Sequence, residues 1–430
     1  MTGDALTLQV ISTPEAFDRL QPAWDALLQE SAISPFQSFE YQRTWWKHFG
    51  ETNPRATLHI VTVTDNDRLV GVAPFFVEEI RVVAGISYRR LAFIGREVTD
   101  YLDLLVAHGH EEPCVRRIAQ HLADLSSQVD VVLLEDITER SRTCELLYDQ
   151  LTMTGLPGNR FVAADCPRTQ LRDSWEATLE SFNIDHRREI RRRKRNLNKN
   201  FTVEFETTSS ETNILEDMEE FIRMHQHRWT KSGHRGVFAD PRVASLHREI
   251  APLFFKRGWL FLGFLRVDGR RIATNYGYFF HDELSIFLGG ATEAPDVWKY
   301  SPGRVLTGYC MEEAIQRGMR VYDFMRGTEQ YKYEFDGVDV KNWTFVFFNA
   351  SRQKTARMKL NLDTLLHTLK RRAQRERILF QFVVHENGAF SLPTFKHLVS
   401  RPLTVVADGR SKLLGGKNSA QRHPPRHTAT

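Results

Sequence analysis

"LFLGFLRVDGRRIATNYGYFFHDEL", Leu260 to Leu284, reads as two strands joined at Asp268-Gly269. Aromatic and aliphatic residues crowd both arms, and Asp-Gly supplies the positive-φ pair that a tight hairpin needs. An earlier stretch has the same shape. "LHIVTVTDNDRLVGVAPFFVEE", Leu58 to Glu79, is again two strands around a polar turn, at Asp65 to Asp67. Outward from each hairpin the order repeats. A further strand follows, Tyr101 to Val106 ("YLDLLV") or Leu284 to Gly289 ("LSIFLG"); then a helix, "EEPCVRRIAQHLADLSS" or "SPGRVLTGYCMEEAIQRG"; then an apolar strand, "VDVVLLED" near Asp130 or "MRVYDFM" near Asp323. Helices precede each unit, Pro14 to Glu30 and Phe36 to Phe49 in the first half, Ser174 to Lys199 and Ile214 to Lys231 in the second. The pattern predicts one α/β unit used twice, each with a mixed central sheet flanked by helices.

A chain of 430 residues exceeds what one hydrophobic core usually supports, in keeping with two domains. The reading divides it into residues 1–168, residues 169–350 and a basic extension, 351–430. The join falls near "CPRTQLRDS", Cys166 to Ser174, which ends a strand and offers a helix cap. After residue 350 the sequence gives a helix with an apolar stripe (Met358, Leu362, Leu365, Leu366, Leu369), then "KRRAQRER" and a polar tail. Such a helix suits packing on the body or, through residues 358–380, peripheral contact with an anionic membrane.

The net charge of +4 hides an asymmetry. The last eighty residues hold sixteen Lys and Arg against four Asp and Glu, which leaves −8 for the first 350. A general nucleic-acid binder is basic over its folded part, so nucleic acid is not the expected partner. "HRREIRRRKRNLNK", His186 to Lys199, is the local exception at +7. It reads as the solvated face of a helix whose apolar stripe is Trp175, Leu179, Phe182, Ile190 and Leu197, with an anion-attracting site and an RNA-docking surface as alternatives. Cysteines 114, 144, 166 and 310 show neither metal spacing nor a disulfide framework, so no metal is expected. With charges among the first thirty residues and no long apolar run, a cytoplasmic chain is expected.

Chemistry is densest between Phe287 and Phe335. A strand ends at Gly289-Gly290, and a helix opens with Ser301 as N-cap and Pro302 at its first position. The amides of Gly303, Arg304 and Val305 would stay free there, a seat for phosphate that the Arg304 side chain could reinforce. The competing reading is a well-capped helix and nothing more. The next strand ends in "YDFMRGTEQYK", which gathers Asp323, Arg326, Glu329, Tyr331 and Lys332 around Gly327. A β-α-β crossover sets both features at the same sheet edge.

The order "PFQSFEYQRTWWKHFG", "RREIRRRKRNL", "MHQHRW", "KYSPGRVL" and "YDFMRGTEQYK" resembles the CelD/BcsL-type acetyltransferases of the GNAT superfamily, associated with cellulose and exopolysaccharide synthesis. The resemblance covers roughly residues 20 to 345. It extends to the Fem peptidoglycan transferases, which also pair two GNAT-like halves. It implies acyl transfer from acetyl-CoA or another acyl-CoA, without a metal, to an amine or hydroxyl of a saccharide, sugar-nucleotide or lipid-linked intermediate. By the same resemblance Leu284 to Gly290 is the strand that carries the pantetheine arm and Ser301 to Val305 the pyrophosphate loop, although one glycine and a proline depart from the usual loop. Glu111 and Glu112 at the matching helix start of the first half would repel phosphate, which makes the second half the catalytic one.

For the reaction itself, Asp323 or Glu329 is the expected base, main-chain amides near Gly289 and Gly290 polarise the carbonyl, Tyr331 is the acid, and Lys332 neutralises thiolate or phosphate. Trp45, Trp46, His225, Arg228, Trp229 and Arg326 are the candidate contacts to the acceptor. Two other readings stay open: a Fem-like transferase using aminoacyl-tRNA, and a non-catalytic adaptor docking through its basic tail, at the inner face of the membrane.

Overall fold

The computed structural model describes residues 6–368. Its strands are β1 (Leu6–Ile11), β2 (Ala56–Asp65), β3 (Arg68–Val83), β4 (Ile86–Phe93), β5 (Leu105–Val106), β6 (Val131–Thr138), β7 (Gly158–Gln170), β8 (Val203–Thr207), β9 (Leu260–Val267), β10 (Arg270–Phe280), β11 (Glu283–Ala291), β12 (Val321–Asp323) and β13 (Val338–Phe348). Both hairpins form as their turns require. Asn66 and Asp67, and likewise Asp268 and Gly269, lie at positive φ. In each half the edge-to-centre order is repeated: β1-β2-β3-β4-β6 and β8-β9-β10-β11-β12, with the last two strands of each run parallel.

The two units share one sheet. The strand that ends the first half, β7, pairs antiparallel with β12 of the second, and β13 lies between β7 and β6. Each half therefore completes its centre with the other's final strand, and β7 runs through residue 168 without a break.

Three expected elements differ in detail. Tyr101 to Val106 is not a full strand; only Leu105 and Val106 pair, with β3. The third strand of the first half is β4, whose "ISYRRLAF" hides its pattern behind two adjacent arginines, Arg89 exposed and Arg90 buried on Glu78. The span Ser174 to Lys199 is two helices, Trp175–Ser181 and Ile184–Asn200, parted where Phe182 is extended and the Asn183 side chain caps the second. Pro14 to Glu30 likewise divides into Pro14–Asp18 and Gln21–Ser31.

Helices Ile214–Lys231 and Pro241–Lys256 cover one face of the second half and share a core with the first: Phe36 and Tyr41 meet Tyr278 and Phe254. Helices Ile184–Asn200 and Pro302–Gln316 cover the other face around Ile190, Leu197, Leu306 and Cys310. All four cysteines are buried and free, small hydrophobes in use. Residues 353–368 are helical and dock on the sheet by Ala356 and Leu360, with Tyr88 donating to Asp363. Their buried face is thus not the one expected. Met358 and Leu365 point outward, 61% and 44% exposed; Leu369 and the rest of the expected basic segment lie outside the described residues.

Candidate active site

The site begins where two parallel strands part. β11 and β12 pair only through Glu283, Leu284 and Ser285, opposite Val321, Tyr322 and Asp323. Beyond that, Ile286 to Ala291 has β10 on one side and no strand on the other among the described residues. A bulge at Phe287, where the register slips between Tyr276 and Gly277, bends β11 away at that point. The gap lies at the C-terminal ends of parallel strands, where α/β sheets bind ligands.

Gly289 and Gly290 let helix Ile214–Lys231 lie directly on this strand. A Cβ on Gly290 would meet the backbone nitrogen of His225 at 2.8 Å. His225 Nδ1 donates to the Gly289 carbonyl at 3.0 Å, since a carbonyl can only accept; the ring is neutral, with burial pulling its pKa down to about 4. One turn on, the Arg228 guanidinium hangs above Gly289, within 3.2 Å of where a Cβ would stand, and has no acidic partner among the described residues. Across the gap stands Tyr331. Burial, helped by Glu329 and opposed by Arg228 and Arg304, pushes its phenol up to about 12.

The turn after β12 is held by Lys332. Its ammonium is buried and donates to the carbonyls of Met325, Arg326 and Gly327 at 2.8 to 3.1 Å, with Glu329 3.0 Å away. All three protons are spent on a turn in which Met325 and Gly327 take positive φ. Lys332 therefore positions the turn and has no donor left for a thiolate. Asp323 is fully buried: it accepts from Tyr101 of the first half (2.9 Å) and from the Met325 amide (2.7 Å), with Arg168 Nε 3.3 Å away. Burial pushes its carboxyl up to about 6 against the pull of Arg168. Arg168 also joins Arg140 on Glu283. This network stitches β7 to β11 and β12 and leaves Asp323 no free face toward the gap. Glu329 is exposed at the turn.

The helix start differs from expectation. Ser301 takes a left-handed conformation and makes no side-chain cap; the amides of Arg304 and Val305 turn back to the Ser301 carbonyl at 3.0 and 3.3 Å. Of the three amides expected to be free, only that of Gly303 is, and a Cβ there would meet nothing. Arg304 faces Glu334.

The expected acceptor contacts separate. His225, Arg228 and Trp229 (37% exposed) flank the gap on one helix. Trp45 and Trp46 are core residues, packed on Phe49 and Phe76. Arg326 points into the first half, where it pairs with Asp136 and lies near Asp100. Tyr101, Arg168, Glu283 and Glu334 were not anticipated; the first three come together through the strand exchange, which no local pattern announces, and Glu334 meets Arg304 and Arg193 within the second half. The basic helix is largely neutralised: Arg188, Arg191, Arg192, Arg193 and Lys194 pair with Asp185, Glu176, Glu189, Glu334 and Glu312.

Residues 185–333 match the family model described as Acetyltransferase (GNAT) domain. No curated protein matches the sequence. Among solved structures the fold is similar to that of FemX, at 10% identity and TM-score 0.55, covering 80% of this chain and 97% of that one. Others are the C-terminal domain of a putative lysylphosphatidylglycerol synthetase from Agrobacterium fabrum (11%, TM-score 0.48, 80% and 95% covered) and a tandem GNAT protein from the clavulanic acid biosynthesis pathway (10%, 0.45, 79% and 98%). The matched residues run from the basic helix through the parted strands to Tyr333, so the segment that holds the gap is the one that matches a GNAT acetyltransferase domain.

Proposed function

We propose that the protein transfers an acetyl or other acyl group from acyl-CoA to an amine or hydroxyl of a saccharide-type acceptor, in surface-polysaccharide synthesis of the CelD/BcsL kind. The observation that carries this reading is the unpaired edge of β11 from Ile286 to Ala291, with Arg228 on one side and Tyr331 on the other. An extended pantetheine amide can add to that edge as a strand does, and a thioester lying there comes between the two side chains. The acceptor nucleophile attacks the thioester carbonyl and gives its proton to Glu329, whose carboxylate is exposed at the turn. As the C–S bond breaks, the thiolate takes the proton of Tyr331, which a pKa near 12 keeps in place until then. Asp323 and Lys332 hold the turn on which Glu329 and Tyr331 sit.

The acceptor would enter past Trp229, whose exposed ring offers an apolar face to a sugar. The aminoacyl-tRNA reading has less support, because the basic helix spends most of its charge on carboxylates of its own and of neighbouring elements. Among the described residues no helix is long and apolar enough to cross a membrane. A lipid-linked acceptor would then be met at the bilayer surface, where the outward Met358 and Leu365 are available. Thiol release from acetyl-CoA, followed against amino sugars, hydroxyl sugars and their nucleotide-linked forms, tests the reading. Acceptor-dependent release lost in Glu329→Gln supports it, and release indifferent to every saccharide contradicts it.

A further inference from the structure

Two arginines from different helices converge on one carboxylate beside the gap. Arg304 holds Glu334 with Nε and Nη2 at 2.8 and 3.0 Å, and Arg193 of the basic helix reaches the same carboxylate through Nη1 at 2.5 Å. The Arg193 and Glu334 side chains are only 17% and 18% exposed. Burial alone would push the Glu334 carboxyl up, yet the two guanidiniums outweigh it and hold the group below its usual range. The space between the two helices here is only a narrow, mostly apolar crevice lined by Trp175, Ile190, Arg193, Lys194, Arg304 and Val305, too small for an anion beside the carboxylate, so an anion would have to take the place of Glu334.

Such a pair of forks fits a tetrahedral anion at least as well as a carboxylate. A pyrophosphate bridge has two charges and four non-bridging oxygens against the carboxylate's one and two, and two planar guanidiniums can each grip two oxygens. Arg193 would not drift if Glu334 left, because its Nε stays 2.7 Å from Glu189. Glu334 follows directly on helix Gln330–Tyr333, three residues beyond Tyr331.

We propose that Glu334 is an internal stand-in for a phosphate of the acyl carrier: Arg193 and Arg304 form a phosphate seat, which the carboxylate occupies until the carrier displaces it. This rests on the acyl-CoA reading and extends it in two ways. It draws a residue of the basic helix into the carrier site, and it couples carrier binding to a shift of the segment that bears Tyr331.

Calorimetry of the full chain with inorganic pyrophosphate and, separately, with acetyl-CoA tests it. Glu334→Gln removes the competing charge. Both ligands should then bind about tenfold tighter, because apparent affinity scales with the fraction of time the seat is vacant, and Arg193→Gln in the same background should erase the gain. Unchanged or weaker pyrophosphate binding by a Glu334→Gln protein that still unfolds cooperatively would make Glu334 a structural tie and overturn the proposal. Should Glu334→Gln not fold, Arg193→Gln alone must weaken acetyl-CoA about tenfold; equal affinity there is equally decisive against the seat. Tighter pyrophosphate with no acetyl-CoA binding in any variant would keep the seat and defeat the acyl-CoA reading instead.

Discussion

The protein has two places where a parallel strand pair parts, and it treats them differently. In the first half β4 and β6 pair through Arg90 and Leu91 and then diverge, as β11 and β12 do in the second. There the chain turns back into its own gap: the Leu102 amide donates to the Asp136 carbonyl at 3.0 Å, and Tyr101, Leu102 and Leu104 are buried. The Leu102 side chain lies 2.9 Å from where a Cβ on Gly95 would be. Arg96 on Glu135, and Arg326 from the second half on Asp136, close what remains. In the second half the chain after Ala291 enters helix Pro295–Trp298, burying Ala294 and Val297 in the core of the basic-helix face, and among the described residues no strand covers the edge. Identical topology thus yields a filled core in one half and a binding edge in the other. The filled half also supplies Tyr101 to Asp323, so it stiffens the floor of the open one.

The comparison can be broken at its strongest joint first. Asp323→Asn leaves Arg168 short of a buried partner and gives Tyr101 a poorer one, so denaturant melts at pH 7 should show a loss of about 3–5 kcal/mol. Leu102→Ala empties the filled gap; about 2–5 kcal/mol should go, with acetyl-CoA affinity unchanged. Gly289→Val, whose side chain would crowd Arg228 and Asn275 on the bare edge, should instead spare stability and lower acetyl-CoA affinity by about 10²-fold.

Acid titration sharpens the contrast between the buried groups. Burial pulls His225 and His247 down to about 4 and about 3. Between about 6.5 and 4 the unfolded chain binds protons that the native state refuses, so their share of stability is lost as pH falls through that window. Asp323 has the opposite sign: raised to about 6, it holds a proton in the native state between about 4 and 6 that the unfolded chain lacks, and its share is lost as pH rises. Comparing melts at pH 7 and pH 5, His247→Gln should narrow the drop seen in the wild type and Asp323→Asn should widen it. The smallest effect belongs to the basic helix. Arg187, Arg195 and Lys199, without acidic partners among the described residues, can all become Gln with no change in acetyl-CoA affinity and no RNA lost from the purified protein.

Much of this was legible because local chemistry is local. Asp-Gly and Asn-Asp turns announced both hairpins, the repeat announced two units, and "YDFMRGTEQYK" did mark the turn beside the gap. What sequence could not reveal is where charges find partners. Lys332 reads as a catalytic cation until three carbonyls are seen to claim it, and Asp323 as a base until Tyr101 arrives from another half. The Trp45-Trp46 pair, a candidate acceptor contact whose helical spacing equally suits a core, is core because helix Phe39–Trp45 runs on as a π-helical turn and buries both rings. Leu102 was read as a strand residue because its gap-filling role depends on β4, which "ISYRRLAF" concealed.

The most direct test of the central claim is a calorimetric titration with acetyl-CoA of the wild type, Gly303→Glu and Leu102→Ala. A Cβ at Gly303 meets nothing, so that variant should fold normally while setting a carboxylate at the mouth of the second-half gap. One site per chain, kept in Leu102→Ala and lost in Gly303→Glu, is the predicted result. Binding that survives Gly303→Glu and disappears with Leu102→Ala would place the acyl carrier in the first half and contradict the account.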